Sequence, residues 1–300
     1  MKGRISPKQG LGLLVVLTVG SSGWWESSTI CDREYDGLTA DPWELRNTFA
    51  TLPGSAARGG GGDSELPGCG ELLEGAAHKT WWVVTWMRII SVNVGLPREV
   101  VWKGVQVETA IFKDPVAGPV KIDELNLAGD RQADPTVHGG PEKAVYAYPA
   151  EHYDYWRKEL PNVPFSWAKF GENLTTEGLA EDTLCIGDRL RVGTAVLMVT
   201  QPRLPCYKLQ VRFDREDMIK RFLASGRSGF YFSVVESGEV SAGSEVEILS
   251  RDANGVTVAD IQKLYLGQNR DQDLLQRAIN AKALPENWRS EFRIRARSRR

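Results

Sequence analysis

From residue 87 onward the chain is a series of short apolar runs of the strand type, broken every few positions by Gly, Pro or Asp. Arg88–Val94 and residues 194–200 carry Ile89, Ile90, Val92 and Val94 in the first and Val196, Leu197 and Val199 in the second, both bounded by turn formers. Many short strands at close spacing predict a barrel or a sandwich. Residues 149–160 break the pattern and predict a helix, with Pro149 early, acids near the start and bases near the end. Residues 216–225 predict a second, closed by Gly226 as a left-handed C-cap. After Glu247, Ile248 and Leu249 the period changes for good. Three short helices are predicted there, one beginning near Val258, one over 271–281 and one over 285–297. The middle one puts Leu274, Leu275, Ala278 and Ile279 on one face, as an amphipathic helix requires. The pattern reads as a small helical appendage, and no internal repeat is visible.

The first 86 residues follow neither period. They hold six of the ten tryptophans and a four-glycine run, Gly59 to Gly62, and predict no fold of their own. Their opening imitates a signal peptide, with Lys2, Arg4 and Lys8 ahead of an apolar run from Leu11 to Val19 and the small residues 20–23. That run is too short to span a bilayer. The competing expectation is a natural start at Met87, with 1–86 an extension.

Composition then narrows the chemistry. A chain of 300 residues, 42% hydrophobic, supports a real core, and a formal charge of -2 creates no global field for nucleic acid or an anionic membrane. An anion site, if present, is local. Four cysteines, Cys31, Cys69, Cys185 and Cys206, show no paired spacing, which predicts free thiols and a cytoplasmic setting. There is no phosphate-loop ending after the glycine run, no dinucleotide fingerprint and no iron–sulfur pattern. The basic tail after Arg293 reads as a solvated terminus.

Three clusters carry candidate chemistry. The first holds Gly129, Asp130, Arg131, Gln132 and Asp134, followed by His138, Gly139, Gly140 and Pro141; paired glycines let backbone N–H groups approach an anion, and the histidine adds a proton or a charge. A plain turn with a capping histidine is the alternative. The second is Gly171, Glu172 and Asn173, which can hydrogen-bond a heterocycle edge or cap a turn. The third is Cys206, braced by Pro202 and Pro205, which argue against a helix or a central strand. Its neighbours Arg203 and Lys208 favour a thiolate if they converge on the sulfur, fit to bind a soft metal or attack an electrophile. The alternative is a buried structural thiol, the role expected of Cys185.

Taken in order, these clusters resemble the MOSC domain, the module shared with the C-terminal part of molybdenum cofactor sulfurases, and most closely its bacterial YiiM-type members. The likeness runs from about Met87 to Arg297. It includes His138-Gly139-Gly140-Pro141, Tyr148-Pro149 with Glu151-His152-Tyr153 and Trp156, Phe170-Gly171-Glu172-Asn173-Leu174, Gly187-Asp188, Gln201-Pro202-Arg203 with Pro205-Cys206, and Lys208-Leu209. The resemblance implies a mainly β fold with α, a MOSC β-barrel over 87–250 followed by a three-helix domain over 256–300. It implies a bound molybdenum cofactor, no pyridoxal phosphate, Cys206 as thiolate ligand to the metal, and reduction of N-hydroxylated compounds such as 6-hydroxylaminopurine in detoxification. Under it, His138, Gly139, Gly140, Arg203 and Lys208 become candidates for the pterin phosphate, and Glu172 and Asn173 for the pterin itself. His152 becomes a candidate proton donor to the leaving hydroxyl. Electrons then come from a separate reductase. A non-catalytic cofactor carrier, or a persulfide carrier on Cys206, are the rival readings.

Overall fold

The computed structural model describes residues 87–297 and, upstream, two strands: β1 (Val15–Val19) and β2 (Trp25–Thr29). The chain divides into two units, Met1–Val84 and Thr85–Arg300. In the first, β1 and β2 pair antiparallel, Val15 opposite Thr29. The rest of the signal-like opening, the glycine run, Cys31, Cys69 and the end of the basic tail lie outside the described residues.

The second unit carries the remaining strands: β3 (Arg88–Val94), β4 (Arg98–Trp102), β5 (Val105–Thr109), β6 (Asp114–Pro115), β7 (Val120–Ile122), β8 (Val145–Pro149) and β9 (Leu174–Glu177). They are followed by β10 (Arg189–Val192), β11 (Ala195–Pro202), β12 (Phe230–Glu236), β13 (Gly238–Val240) and β14 (Val246–Ser250). Its helices are α1 (Pro135–His138), α2 (Glu151–Glu159), α3 (Tyr207–Phe213), α4 (Met218–Ser225), α5 (Val258–Tyr265), α6 (Gln272–Asn280) and α7 (Glu286–Arg297). Eight strands form one sheet in the order β14, β10, β11, β12, β8, β9, β3, β6. The sheet curls until its ends approach. Arg88 bridges Glu245, and three backbone bonds join residues 87 and 89 to the approach to β14, among them Val246 N–H to Met87 O at 2.9 Å and Ile89 N–H to Ser244 O at 2.9 Å. These contacts make a narrow seam and not a ladder, so the sheet is barrel-like without being closed as a barrel.

One pair in this sheet is parallel. β8 and β9 run the same way, Ala147 opposite Leu174, and the connection between them carries α2, because a parallel return needs a crossover. The starts of both strands consequently lie side by side, which brings Tyr146 and Asn173 together. The strand predicted at 194–200 extends to Pro202 and lies between β10 and β12. This corrects the expectation that Pro202 excludes a central strand. β10 pairs only as far as Met198, so at Pro202 β12 is the remaining neighbour and no ladder bond to β10 is lost.

The three C-terminal helices form where the pattern predicts them. Thr257 and Asp260 make a reciprocal capping box at the start of α5, and Asp271 caps α6 through the N–H groups of Asp273 and Leu274. They are more than an appendage: Val258, Ile261, Leu274, Leu275, Trp288 and Phe292 belong to the same continuous core as Leu190, Leu197 and Phe230 of the barrel. Among the described residues no helix is long and apolar enough to cross a membrane.

Candidate functional site

A cavity of about 670 Å³, counted to its open mouth, lies beside the start of β8 and the end of β11. Cys206, Arg203 and Lys208 line one wall, His138 and Lys143 another, and Lys113, Asp130 and Asn173 a third, with Tyr146 and Tyr231 between them. Residues from all three sequence clusters therefore meet here. Cys206 is the residue before α3, a partly exposed free thiol at the end of a four-residue loop that leaves β11.

Arg203 is only 6% exposed, and among the described residues no carboxylate pairs with it. Its Nη1 donates to the carbonyl of Phe170 at 2.6 Å and to the Tyr146 hydroxyl at 3.4 Å, while the guanidinium lies 4.8 Å from the Tyr146 ring centroid and 5.5 Å from that of Phe222. Aromatic faces thus hold a buried cation that would otherwise call for an anion.

His138 ends α1, which Asp134 begins by accepting the Thr136 N–H at 3.0 Å. Burial, then the cations Lys208, Lys143 and Arg203, push the ring down to about 4 against the opposing pull of Asp134. At neutral pH the ring is uncharged and can offer a hydrogen bond in place of a charge. Its Nδ1 is buried without a partner. The Gly139 N–H is taken up by Pro135 O at 3.1 Å, and a Cβ there would sit 2.6 Å from that same oxygen. Gly140 turns at φ 99°, which a side chain would strain. Neither lines the cavity; they shape the turn that presents His138 and Lys143.

Glu172 also stands apart from the ligand space. Its carboxylate is fully buried and accepts the Tyr153 hydroxyl, the N–H of Ala168 at 2.9 Å, that of Phe170 at 3.1 Å and the Thr175 hydroxyl at 3.0 Å. Burial raises its pKa while these donors oppose the rise. It organises the loop beneath the cavity. Asn173 does line the cavity, but both ends of its amide are engaged: Oδ1 accepts the Tyr146 N–H at 3.2 Å and Nδ2 donates to Asp130 at 2.9 Å. His152 is not among the lining residues. Its Nε2 lies 2.8 and 3.0 Å from the two oxygens of Glu181, whose carboxylate also accepts the Gly229 N–H at 2.7 Å. Cys185 lies outside the cavity as well.

Lys113, Lys143, Tyr146 and Tyr231 were not among the sequence candidates. Lys143 follows the glycine turn directly and was legible as a base beside an anion motif; Lys113 sits in no motif, and only the fold brings it to the site.

The comparisons with known proteins identify the family. Residues 134–247 match the MOSC domain, and residues 256–298 match the YiiM-like, 3-alpha helix domain. The chain is 42% identical over 204 residues to the uncharacterized protein YflK of Bacillus subtilis (strain 168), spanning 68% of this chain and 92% of that one. Protein YiiM of Escherichia coli (strain K12) is 41% identical over 60% of this chain and 81% of its own. The crystal structure of YiiM from Geobacillus stearothermophilus superposes with a TM-score of 0.59 at 34% identity, covering 70% of this chain and 99% of the other. A Gibberella moniliformis (strain M3125 / FGSC 7600) protein named a reductase is 34% identical over 57% of this chain, which spans 31% of that longer protein. The chain belongs to the MOSC-domain family, in its YiiM-like form with a C-terminal three-helix domain.

Proposed function

We propose that the chain binds a molybdenum–pterin cofactor in this cavity and reduces N-hydroxylated compounds, 6-hydroxylaminopurine among them, with electrons from a separate reductase. The observation that carries the reading is a free thiol, Cys206, in a cavity whose other charged lining is mostly cationic, the Asp130 carboxylate there being paired with Lys113. Two groups there want a ligand: among the described residues the buried Nδ1 of His138 has no partner and the buried guanidinium of Arg203 no carboxylate. A phosphate-bearing ligand with a soft metal supplies what both walls lack.

In this reading Cys206 is the thiolate ligand, and Arg203, Lys208 and Lys143 hold the phosphate. His138, neutral, donates or accepts one hydrogen bond. Asn173 and Glu172 fix the walls from behind, and Tyr146 and Tyr231, with ring centroids 5.0 Å apart and planes tilted by 37°, give a planar substrate aromatic surface to pack on. When bound, the cofactor supplies two-electron redox chemistry next to the thiolate. The family membership and the reductase name of one relative support an enzyme of this kind.

The test is Cys206→Ser in a host that makes the cofactor. The native chain is expected to carry molybdenum and pterin and to turn over 6-hydroxylaminopurine with a chemical reductant, and the variant to lose at least about 100-fold of that rate with an unchanged melting temperature. Cofactor without turnover in the native chain points to a carrier. A persulfide on Cys206 without molybdenum points to sulfur transfer.

A further inference from the structure

Cleaving an N–O bond consumes protons as well as electrons, and His152, occupied by Glu181 outside the cavity lining, is poorly placed to give one. Resting on the reductase reading above, we propose that Lys113 is the general acid of this site, its Nζ delivering the proton that the hydroxyl oxygen takes as the N–O bond breaks. Lys113 lies between β5 and β6, is 7% exposed, and lines the same cavity as Cys206. Its ammonium has three donors. Among the described residues one is used, in the ion pair with Asp130.

Asp130 cannot follow the lysine elsewhere. Its Oδ1 also accepts the Gly95 N–H at 2.9 Å, its Oδ2 accepts Asn173 Nδ2 at 2.9 Å, and its side chain is 2% exposed. The carboxylate is a fixed anchor, and the ammonium hangs from it with its remaining donors available to the cavity. Other charged and titratable groups bear on the same point. Glu172 acts on it from behind the wall, in the loop before β9; Cys206, Arg203 and Lys208 line the cavity from the β11–α3 region, His138 and Lys143 from the glycine turn, and Arg131 from the loop of Asp130. Tyr146 and Tyr231 complete the lining from β8 and β12. Arg203 is too basic to give up a proton, and His138 is already neutral. Burial makes the Lys113 ammonium more acidic than an ordinary lysine, with Asp130 restoring part of the difference.

The step balances. A hydroxylamine, R–NH–OH, accepts two electrons supplied by the separate reductase through the bound cofactor. The N–O bond breaks, the oxygen takes the Lys113 proton and leaves as water, and the nitrogen takes a second proton from solvent to give R–NH2. Lys113, left as a neutral amine, recovers its proton from solvent.

The experiment uses the full chain loaded with molybdenum and pterin, reduced viologen as electron donor and 6-hydroxylaminopurine as substrate. Alongside it, the Lys113 Nζ is titrated by heteronuclear NMR in the cofactor-free chain. The native turnover should fall with rising pH where the NMR titration places Lys113. Lys113→Gln should lose about 100-fold or more in kcat per loaded chain with molybdenum and pterin content unchanged, at a lower melting temperature because the buried Asp130 carboxylate loses its cation. Lys113→Arg, protonated throughout, should also be slow but without that alkaline fall. Asp130→Asn should move both the fall and the NMR titration to lower pH, since it removes the anion that favours the charged amine. Turnover of Lys113→Gln at the native rate, or an alkaline fall retained in Lys113→Arg, overturns the assignment. So does loss of cofactor from Lys113→Gln, which makes the lysine a cofactor-holding residue. A loaded native chain that reduces no hydroxylamine overturns the reductase reading, and this one with it.

Discussion

The molecule has two interiors of different chemistry. One is largely aliphatic, runs through the barrel and continues into the three C-terminal helices, with Val92, Leu174, Leu190, Leu197 and Ile261 among its members. The other is mostly aromatic and lies around α2, α3 and α4, built from Tyr146, Tyr148, Tyr153, Trp156, Phe170, Phe213 and Phe222. The aliphatic core has few polar atoms to offer, the Trp288 Nε1 among them. The aromatic one has both faces and hydroxyls: Tyr148 and Phe170 stack at 4.3 Å, Trp156 Nε1 donates to the Tyr148 hydroxyl at 2.7 Å, and the Tyr153 hydroxyl reaches Glu172. Such a core can hold a buried carboxylate and a buried guanidinium within a few ångströms of one another's supports. An aliphatic core builds the container, and an aromatic one lets its floor carry charge.

The sharpest way to break this comparison is a matched pair of truncations. Phe222→Ala should cost about 3–5 kcal/mol and also remove one of the two rings that Arg203 lies over, so cofactor retention falls together with stability. Leu197→Ala should cost about 2–5 kcal/mol in urea unfolding with retention per folded chain unchanged. Equal loss of cofactor from both would erase the distinction. A smaller effect tests the point where the aliphatic core meets the site. Trp288 of α7 donates its Nε1 to Gln201 Oε1 at 2.7 Å, and Gln201 Nε2 in turn donates to Glu142 O at 3.3 Å in the turn that carries Lys143. Trp288→Phe keeps the ring but leaves a buried acceptor without its donor, and should cost about 1–3 kcal/mol.

The smallest effect is electrostatic. His138 has a pKa of about 4 in the folded chain against an ordinary 6.5, so as pH falls the unfolded chain takes its proton first. The stability its neutral ring contributes is present above about pH 6.5 and is lost between there and about 4. His138→Asn should flatten the urea midpoint across that window by about 1 kcal/mol, the group being open enough to solvent for screening to reduce the full linkage value.

Elements set by local chemistry were legible in the sequence. β3 was read at its observed bounds, and α5 and α6 were located by Val258 and by the apolar face of Leu274, Leu275 and Ala278, with Gly226 closing α4 at φ 69°. The residues that line the cavity were harder, because lining is a property of three dimensions. A motif shows that Glu172 and Gly139 matter without showing which way they face; one supports a loop from inside, and the other uses its N–H to end a helix. Lys113 was missed for the opposite reason. Nothing within several positions marks it, and its partners Asp130 and Asn173 are distant in the chain. Pro202 misled because a rule about mid-strand hydrogen bonds was applied where β10 no longer pairs.

The barrel's seam has a mechanical consequence. β3 carries the closing bridge at Arg88 and, at its other end, leads to Gly95, whose N–H holds Asp130 in the cavity wall. The hoop is thus clasped at one end of a strand and its working surface hung from the other. Opening the clasp breaks few bonds, so amides at Ile89 and Val246 can exchange with solvent through a local parting of the hoop while the cavity wall keeps its shape.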